Sequence, residues 1–160
     1  MPAKGATAER PPKPIREPRY RLPEPELVQR AARRVIRGDK ASFPSQASFR
    51  QALIAQLRRD EPLATIGGAR LRRILVGVPG IRLQVHYTER NDLRPLERCP
   101  VCGSELTAIR NRTLTGETVL FGQRCRRCDY WTHRARRVPV RYTFSQAGID
   151  GRGIRRAERS

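Results

Sequence analysis

Four cysteines constrain this chain of 160 residues more than any other feature. They form two Cys-x-x-Cys pairs, separated by residues 103–124: Cys99 and Cys102, then Cys125 and Cys128. Each pair can place two thiolates on one tight turn, and two such turns close the tetrahedral four-sulfur site that structural zinc prefers. Gly103, directly after the first pair, would let the backbone fold back over the metal. The spacing therefore predicts one structural Zn²⁺ held by four Cys thiolates.

Other uses of the cysteines fit the sequence less well. Two structural disulfides belong to an oxidising compartment, and we expect no signal peptide because residues 1–6 have no apolar segment. A redox dithiol usually needs one Cys-x-x-Cys beside a helix, and nothing here suggests the electron-transfer surface of a rubredoxin-like iron protein. Four protein ligands leave no open position for water, so we expect a structural and not a catalytic metal.

The charge of the chain predicts a polyanionic partner. The sequence has 34 Lys and Arg residues against 15 Asp and Glu, a formal net charge of +19, and most of the basic residues are arginine. The planar guanidinium group suits phosphates and guanine edges. No apolar run is long enough to span a membrane and no lipidation motif is present. We therefore expect a cytoplasmic protein whose partner is nucleic acid and not a membrane.

Both ends of the chain are predicted to lack regular structure. Residues 1–23 combine basic side chains with prolines that forbid helix and strand, so we expect a disordered basic arm, which either stays solvated or settles along phosphates. Residues 145–160 combine glycines with arginines and are predicted to form a flexible basic tail.

Residues 24–90 show the periodicity of three helices followed by a strand. Apolar residues recur at spacings of three to four over residues 24–37, 45–60 and 65–77, and residues 81–88 alternate strictly. Helix, short link, basic helix and strand is an order that resembles a winged helix-turn-helix over roughly residues 25–90. Residues 89–98 follow as a predicted turn and linker, with no second alternating strand.

This resemblance implies a recognition helix around residues 70–76. Its Arg70, Arg72 and Arg73 would then face a DNA groove or phosphates. The alternative is a small helical scaffold that only presents the metal-binding part and leaves these arginines in solvent.

The cysteine pairs bracket a predicted β-hairpin. Residues 105–112 and 118–124 read as strands joined by a turn at residues 115–117, and residues 130–134 and 136–144 read as further extended segments. Two metal-binding turns joined by a hairpin and followed by a strand resemble the zinc ribbons of transcription factors and ribosomal proteins over residues 97–144. The predicted fold class is therefore α+β, with a winged-helix-like domain at residues 24–90 and a β zinc ribbon at residues 91–144.

The predicted ribbon is rich in arginine. Nine arginines and three acidic residues lie between Cys99 and Phe144. Arginine interleaved with aromatic residues suits phosphate contact together with base stacking. For Trp131 and Phe121 singly, packing in the ribbon core is the competing interpretation. The candidate nucleic-acid contacts in this segment are Arg110, Arg112, Arg124, Arg126, Arg127, Trp131, Arg134, Arg136 and Arg137.

Nothing in the sequence points to catalysis. The only histidines, His86 and His133, have no nucleophile or acid partner nearby in sequence, and no Gly-rich phosphate loop is present. We expect a zinc-stabilised nucleic-acid-binding protein, a DNA-binding factor of the transcription type. Two alternatives stay open: a ribosome- or RNA-associated protein, and a zinc ribbon that docks on a polymerase or ribosome subunit. The chain is similar to small archaeal zinc-ribbon proteins of transcription and translation.

Overall fold

The computed structural model describes residues 20–37, 42–92, 94–133 and 135–148. These residues form helices and antiparallel sheets, which confirms an α+β protein. In chain order the elements are α1 (Pro25–Arg37), β1 (Ser42–Phe43), α2 (Gln46–Leu57), α3 (Gly68–Leu75), β2 (Ile81–Arg90), β3 (Leu106–Arg112), β4 (Thr118–Cys125), β5 (Trp131–Thr132) and β6 (Arg136–Gln146).

The three helices lie where the apolar spacing predicts them. The helix α2 begins at a side-chain cap, because the Ser45 Oγ accepts a hydrogen bond from the Ser48 backbone N–H at 3.1 Å. The helix α3 is shorter than the predicted 65–77. It ends where Val76 is extended (ψ 124°) and Gly77 has a φ of 76°, which a helix cannot accommodate.

One three-stranded sheet packs with the helices and has the strand order β1-β6-β2. The strand β6 pairs with β2 along its length, and Leu83 lies opposite Phe144. This differs from the sequence interpretation, which assigned residues 136–144 to the ribbon. The physical reason is the length of the strands available to pair with β6. The strand β2 has ten residues for pairing, whereas β5 has only two. Residues 91–135 are thus an insertion between two neighbouring strands.

The main core lies between this sheet and the helices. The ring of Phe49 stacks on Phe144 with 4.4 Å between centroids and meets the edge of Phe43 at 5.1 Å. Leu53 and Leu71 are fully buried beside these rings. Burial of such large side chains, at about 25 cal/mol per Å² of apolar surface, holds α2 and α3 on the sheet.

The second sheet, β3-β4-β5, carries the predicted hairpin. A β-bulge interrupts the pairing of β3 with β4, between Ile109 and Arg110, and leaves Phe121 without a partner in the register. The turn that joins the two strands is closed by the Thr113 backbone N–H, which donates to the Glu117 carbonyl at 2.8 Å.

The predicted arm and tail fall mostly outside the described residues. Of the arm, residues 20–23 are described, and Arg21 forms a parallel bridge with Ala64 in the loop before α3. Of the tail, residues 145 and 146 belong to β6. Within the described ranges, no helix has the length and apolar character needed to cross a membrane.

Candidate metal centre and its contacts with α3

The four cysteine sulfurs come together at one point. Each Sγ lies within 4.8 Å of the other three, and the distances from Cys99 to Cys128 and from Cys102 to Cys125 are both 3.5 Å. A tetrahedral ion with metal–sulfur bonds of ~2.3 Å requires sulfurs about 3.8 Å apart. The cysteines are free thiols, and three of them are buried. Donor type, number and spacing therefore fit one metal ion.

The two turns that carry the sulfurs are built in the same way. The backbone N–H of Cys99 donates to the Ser104 carbonyl at 2.8 Å, and that of Cys125 donates to the Tyr130 carbonyl at 2.8 Å. Gly103 has a φ of 74°, as expected for a residue that folds the first turn over the metal. In each turn the first cysteine is therefore tied to the residue five positions later, which points both sulfurs of a pair inward.

Neighbouring groups shift the pKa values of the thiols in opposite directions. A hydrogen bond from the Cys128 thiol stabilises the Cys99 thiolate and lowers the pKa of Cys99 to about 5. The same hydrogen bond raises the pKa of Cys128, and burial raises the pKa of Cys125. A bound metal cation would displace the protons of these thiols, because cysteine binds a metal as the thiolate.

The metal centre packs against the helical half of the protein. A second cluster of buried side chains surrounds the cysteines and includes Val101 of the first turn and Val76 at the end of α3. Tyr130, 1% exposed, closes this cluster, and its hydroxyl donates to the Arg137 carbonyl at 2.9 Å. The ring of Tyr87 on β2 lies 5.9 Å from the Tyr130 ring. The insertion therefore shares a core with α3 and β2.

Arg72 ties α3 to the first metal-binding turn. Its Nε donates to the Val101 carbonyl at 2.9 Å, and its Nη1 donates to Gln46 Oε1 on α2 at 2.7 Å. The guanidinium also lies 4.3 Å from the centre of the Tyr142 ring, a cation–π contact. This side chain, a candidate nucleic-acid contact from the sequence, is engaged inside the protein.

The other two arginines of α3 differ in exposure. Arg70 is half-buried, and its Nη2 donates to the Pro23 carbonyl at 3.0 Å. Arg73 is exposed, and its backbone carbonyl accepts a hydrogen bond from Arg127 Nη2 at 2.8 Å. That bond links α3 directly to the second metal-binding turn, where Arg126 and Arg127 are both exposed.

The remaining candidate contacts spread over the insertion and β6. Arg136 donates to Asp92 Oδ2 at 3.1 Å, and Arg137 places its guanidinium carbon 4.2 Å from the Tyr87 ring centre and 4.6 Å from that of Trp131. Arg134 lies outside the described residues. The exposed members of the set are Arg110, Arg112, Arg124 and Trp131.

Two features of the aromatic residues near the metal centre were not predicted from the sequence. Tyr130 is the largest fully buried side chain of the metal cluster, although it directly precedes exposed Trp131. His133 stacks on Trp131, with 4.9 Å between ring centroids, and on Phe121, at 5.8 Å. The i, i+2 spacing of Trp131 and His133 puts both on one face of an extended segment and could have indicated the stack.

Comparisons of the chain with protein-family models, with curated proteins and with solved structures gave no match. Its function is therefore inferred from its own residues.

Proposed function

We propose that the protein is a zinc-stabilised nucleic-acid-binding protein, a DNA-binding factor of the transcription type with no catalytic activity. The observation that carries the proposal is the hydrogen bond from Arg127 to the Arg73 carbonyl. It joins the second metal-binding turn, where Arg126 and Arg127 are exposed, to α3 at exposed Arg73. In this proposal the three arginines form one basic surface.

The chemistry of the donor set supports zinc as the metal. Four thiolates in tetrahedral arrangement are the usual ligands of structural Zn²⁺, and they leave no position for a reacting water molecule. The metal would then hold the two turns in place and supply folding free energy to a segment with a small core of its own.

The order of elements supports a winged helix-turn-helix. Three helices precede the two long strands β2 and β6, which are neighbours in one sheet. The short β1, between α1 and α2 in the chain, pairs with the other edge of β6. In this interpretation β2 and β6 are the strands of the wing, and the zinc ribbon occupies the place of the loop between them. The helix α3 would then be the recognition helix, with Arg73 rather than Arg72 available to a groove or to phosphates.

The charge balance supports a polyanion as the partner of this surface. The chain has a net charge of +19, and each arginine that contacts a phosphate releases counterions. Binding to duplex DNA should therefore weaken as the salt concentration rises, with a log–log slope of about −0.9 for each phosphate contacted.

A second candidate is binding to structured or ribosomal RNA. It is favoured by exposed arginines on β3 and β4, which belong to the hairpin and not to α3: Arg110, Arg112 and Arg124. Charge spread over a sheet suits the irregular surface of folded RNA, whereas a groove-reading protein concentrates its charge near one helix.

The double substitution Arg73→Ala with Arg126→Ala tests the proposal. The matched control is Arg34→Ala with Arg59→Ala, which removes two exposed arginines from α1 and from the turn after α2. Affinities for a DNA duplex and for a folded RNA are measured over a salt series. We expect the first variant to make the duplex slope shallower by about 2 and the control to leave it nearly unchanged.

Equal losses in the two double variants would show that only net charge matters, and would contradict the proposed surface. A selective loss on RNA, with duplex binding intact, would favour the second candidate. Wild-type protein that binds neither nucleic acid would leave the ribbon as a protein-docking module.

A further inference from the structure

Three stacked rings form a column on the surface of the insertion. Phe121, His133 and Trp131 follow one another, with 5.8 Å between the first two ring centroids and 4.9 Å between the last two. The planes of each pair are within 29° of parallel. At the Trp131 end, the Arg137 guanidinium lies between the rings of Trp131 and Tyr87. We call Phe121, His133 and Trp131 the aromatic column.

Backbone features of the second sheet place the rings in this row. Trp131 and Thr132 pair with Arg124 and Gln123 of β4, so the next residue, His133, passes over Gly122. A Cβ on Gly122 would clash with the Thr132 carbonyl oxygen and lie 2.9 Å from His133 Cα. The bulge at Phe121 then turns that side chain toward the His133 ring. The close approach and the bulge together build the stack.

The outer end of the aromatic column is open to solvent beside a cavity. Phe121 is 41% exposed and Trp131 is 42% exposed. Phe121 and His133 line a cavity of about 330 Å³, which falls within the size range of small-ligand sites. Asp92, Arg94 and Arg136 line its polar side, joined by ion pairs of 3.2 and 3.1 Å. The site thus offers a flat apolar wall together with hydrogen-bond donors and acceptors.

The charge next to the aromatic column is complementary to a polyanion. Arg124 is the register partner of Trp131, and directly opposed residues of an antiparallel pair project from the same face. Arg124 is exposed. An occupant with flat apolar groups joined by negative charges matches this arrangement better than an apolar peptide does.

We propose that the aromatic column is a stacking platform for unpaired bases of single-stranded nucleic acid. A base stacks on Phe121 and enters the cavity, and Arg124 contacts an adjoining phosphate. Aromatic platforms flanked by basic side chains bind single strands in this way because every base has a π-face. This inference rests on the proposed nucleic-acid binding and adds a substrate class and a second site, distinct from α3.

An abasic strand separates stacking from charge. The full-length, metal-loaded protein is titrated into a labelled short single-stranded oligonucleotide, and into an abasic strand of the same length and phosphate count. Stacking of one base is worth a factor of roughly 5 to 150 in affinity, so the normal strand should bind more tightly by that factor. Equal affinity for the two strands would overturn the proposal.

Variants of Phe121 then test whether the preference for the normal strand arises at the aromatic column. We expect Phe121→Ala to remove most of the preference for the normal strand, and Phe121→Tyr, which keeps the ring, to retain it. The matched control is Leu114→Ala, since Leu114 is an exposed apolar side chain of the same hairpin and lies outside both the stack and the cavity. Far-UV circular dichroism and metal content show whether each variant is folded.

The outcomes separate this inference from the proposed function. Loss of preference in Phe121→Ala with full binding of the abasic strand supports the aromatic column. An unchanged preference in that variant overturns it and leaves the surface to a protein partner. If duplex binding depends on Arg73 and Arg126 while single strands show no base dependence, the inference fails and the proposed function stands.

Discussion

At the scale of single residues, the chain uses arginine in two different ways. Arg72 is a structural side chain, with hydrogen bonds to Val101 and Gln46 and a face-on contact with Tyr142. Its neighbour Arg73 is exposed and points its charge to solvent. Adjacent positions on a helix face different directions, about 100° apart, so one arginine can join elements while the next remains available to a ligand.

We predict that Arg72→Ala destabilises the protein by about 2–4 kcal/mol, because it removes two charge-assisted hydrogen bonds and a cation–π contact. Chemical denaturation of the metal-loaded protein measures the change. Arg73→Ala is the matched control and should change the free energy of unfolding by less than about 0.5 kcal/mol, as for other surface sites.

Arg72→Lys should fall between the two, since an ammonium group cannot reproduce the planar fork of contacts. If Arg72→Ala and Arg73→Ala are equally stable, Arg72 does not join α3 to the metal-binding turn, and it returns to the list of candidate ligand contacts.

At the scale of elements, the short strand β5 depends on a glycine in its neighbour. Gly122 lies where the backbone of Thr132 and His133 crosses β4, and no side chain fits between them. This contact positions β5, which carries Trp131, and hence the aromatic column.

We predict that Gly122→Ala destabilises the protein by about 1–3 kcal/mol, the usual cost of forcing an extra methyl group into a packed site. Trp131 is the only tryptophan of the chain, so its fluorescence reports on the local change. We expect altered emission in the folded variant, because β5 must move away from β4.

Gly67→Ala is the comparison variant, since a Cβ at Gly67 has open space around it. Its cost should stay below about 1 kcal/mol, because only the preference of helix N-caps for glycine over alanine is affected. Wild-type emission and stability in Gly122→Ala would contradict the close approach of β5.

Elements that depend on nearby residues could be predicted from the sequence, and pairings between remote ones could not. The cysteine turns follow from ligand spacing and Gly103, and each helix follows from its own apolar period. The partner of β6 does not, because its alternation fits either sheet and β2 lies some fifty residues earlier. The role of Arg72 could not be predicted for the same reason. Its partners Gln46, Val101 and Tyr142 are distant in sequence and come together only in the fold.

In the molecule as a whole, the candidate metal centre lies between the two sheets, because side chains of β2 and β6 from one sheet and of β3 from the other pack against its buried cluster. The cysteines belong to the insertion, residues 91–135, which follows β2 and ends where β6 begins to pair with β2. Within the described residues, the side chains of Leu83 and Tyr142 pack against both buried clusters, so the two cores are continuous. Loss of the metal would therefore disturb α3 and the arginines near it, as well as the insertion itself.

We infer that a bound metal assembles a basic surface from α3 and the second metal-binding turn. Duplex DNA affinity over a salt series, with metal-loaded protein and with protein stripped by a chelator, tests this assembly. We predict tighter binding and a steeper log–log slope for the loaded form, because the metal holds Arg73, Arg126 and Arg127 together. Identical affinity and slope in the two forms would contradict the claim.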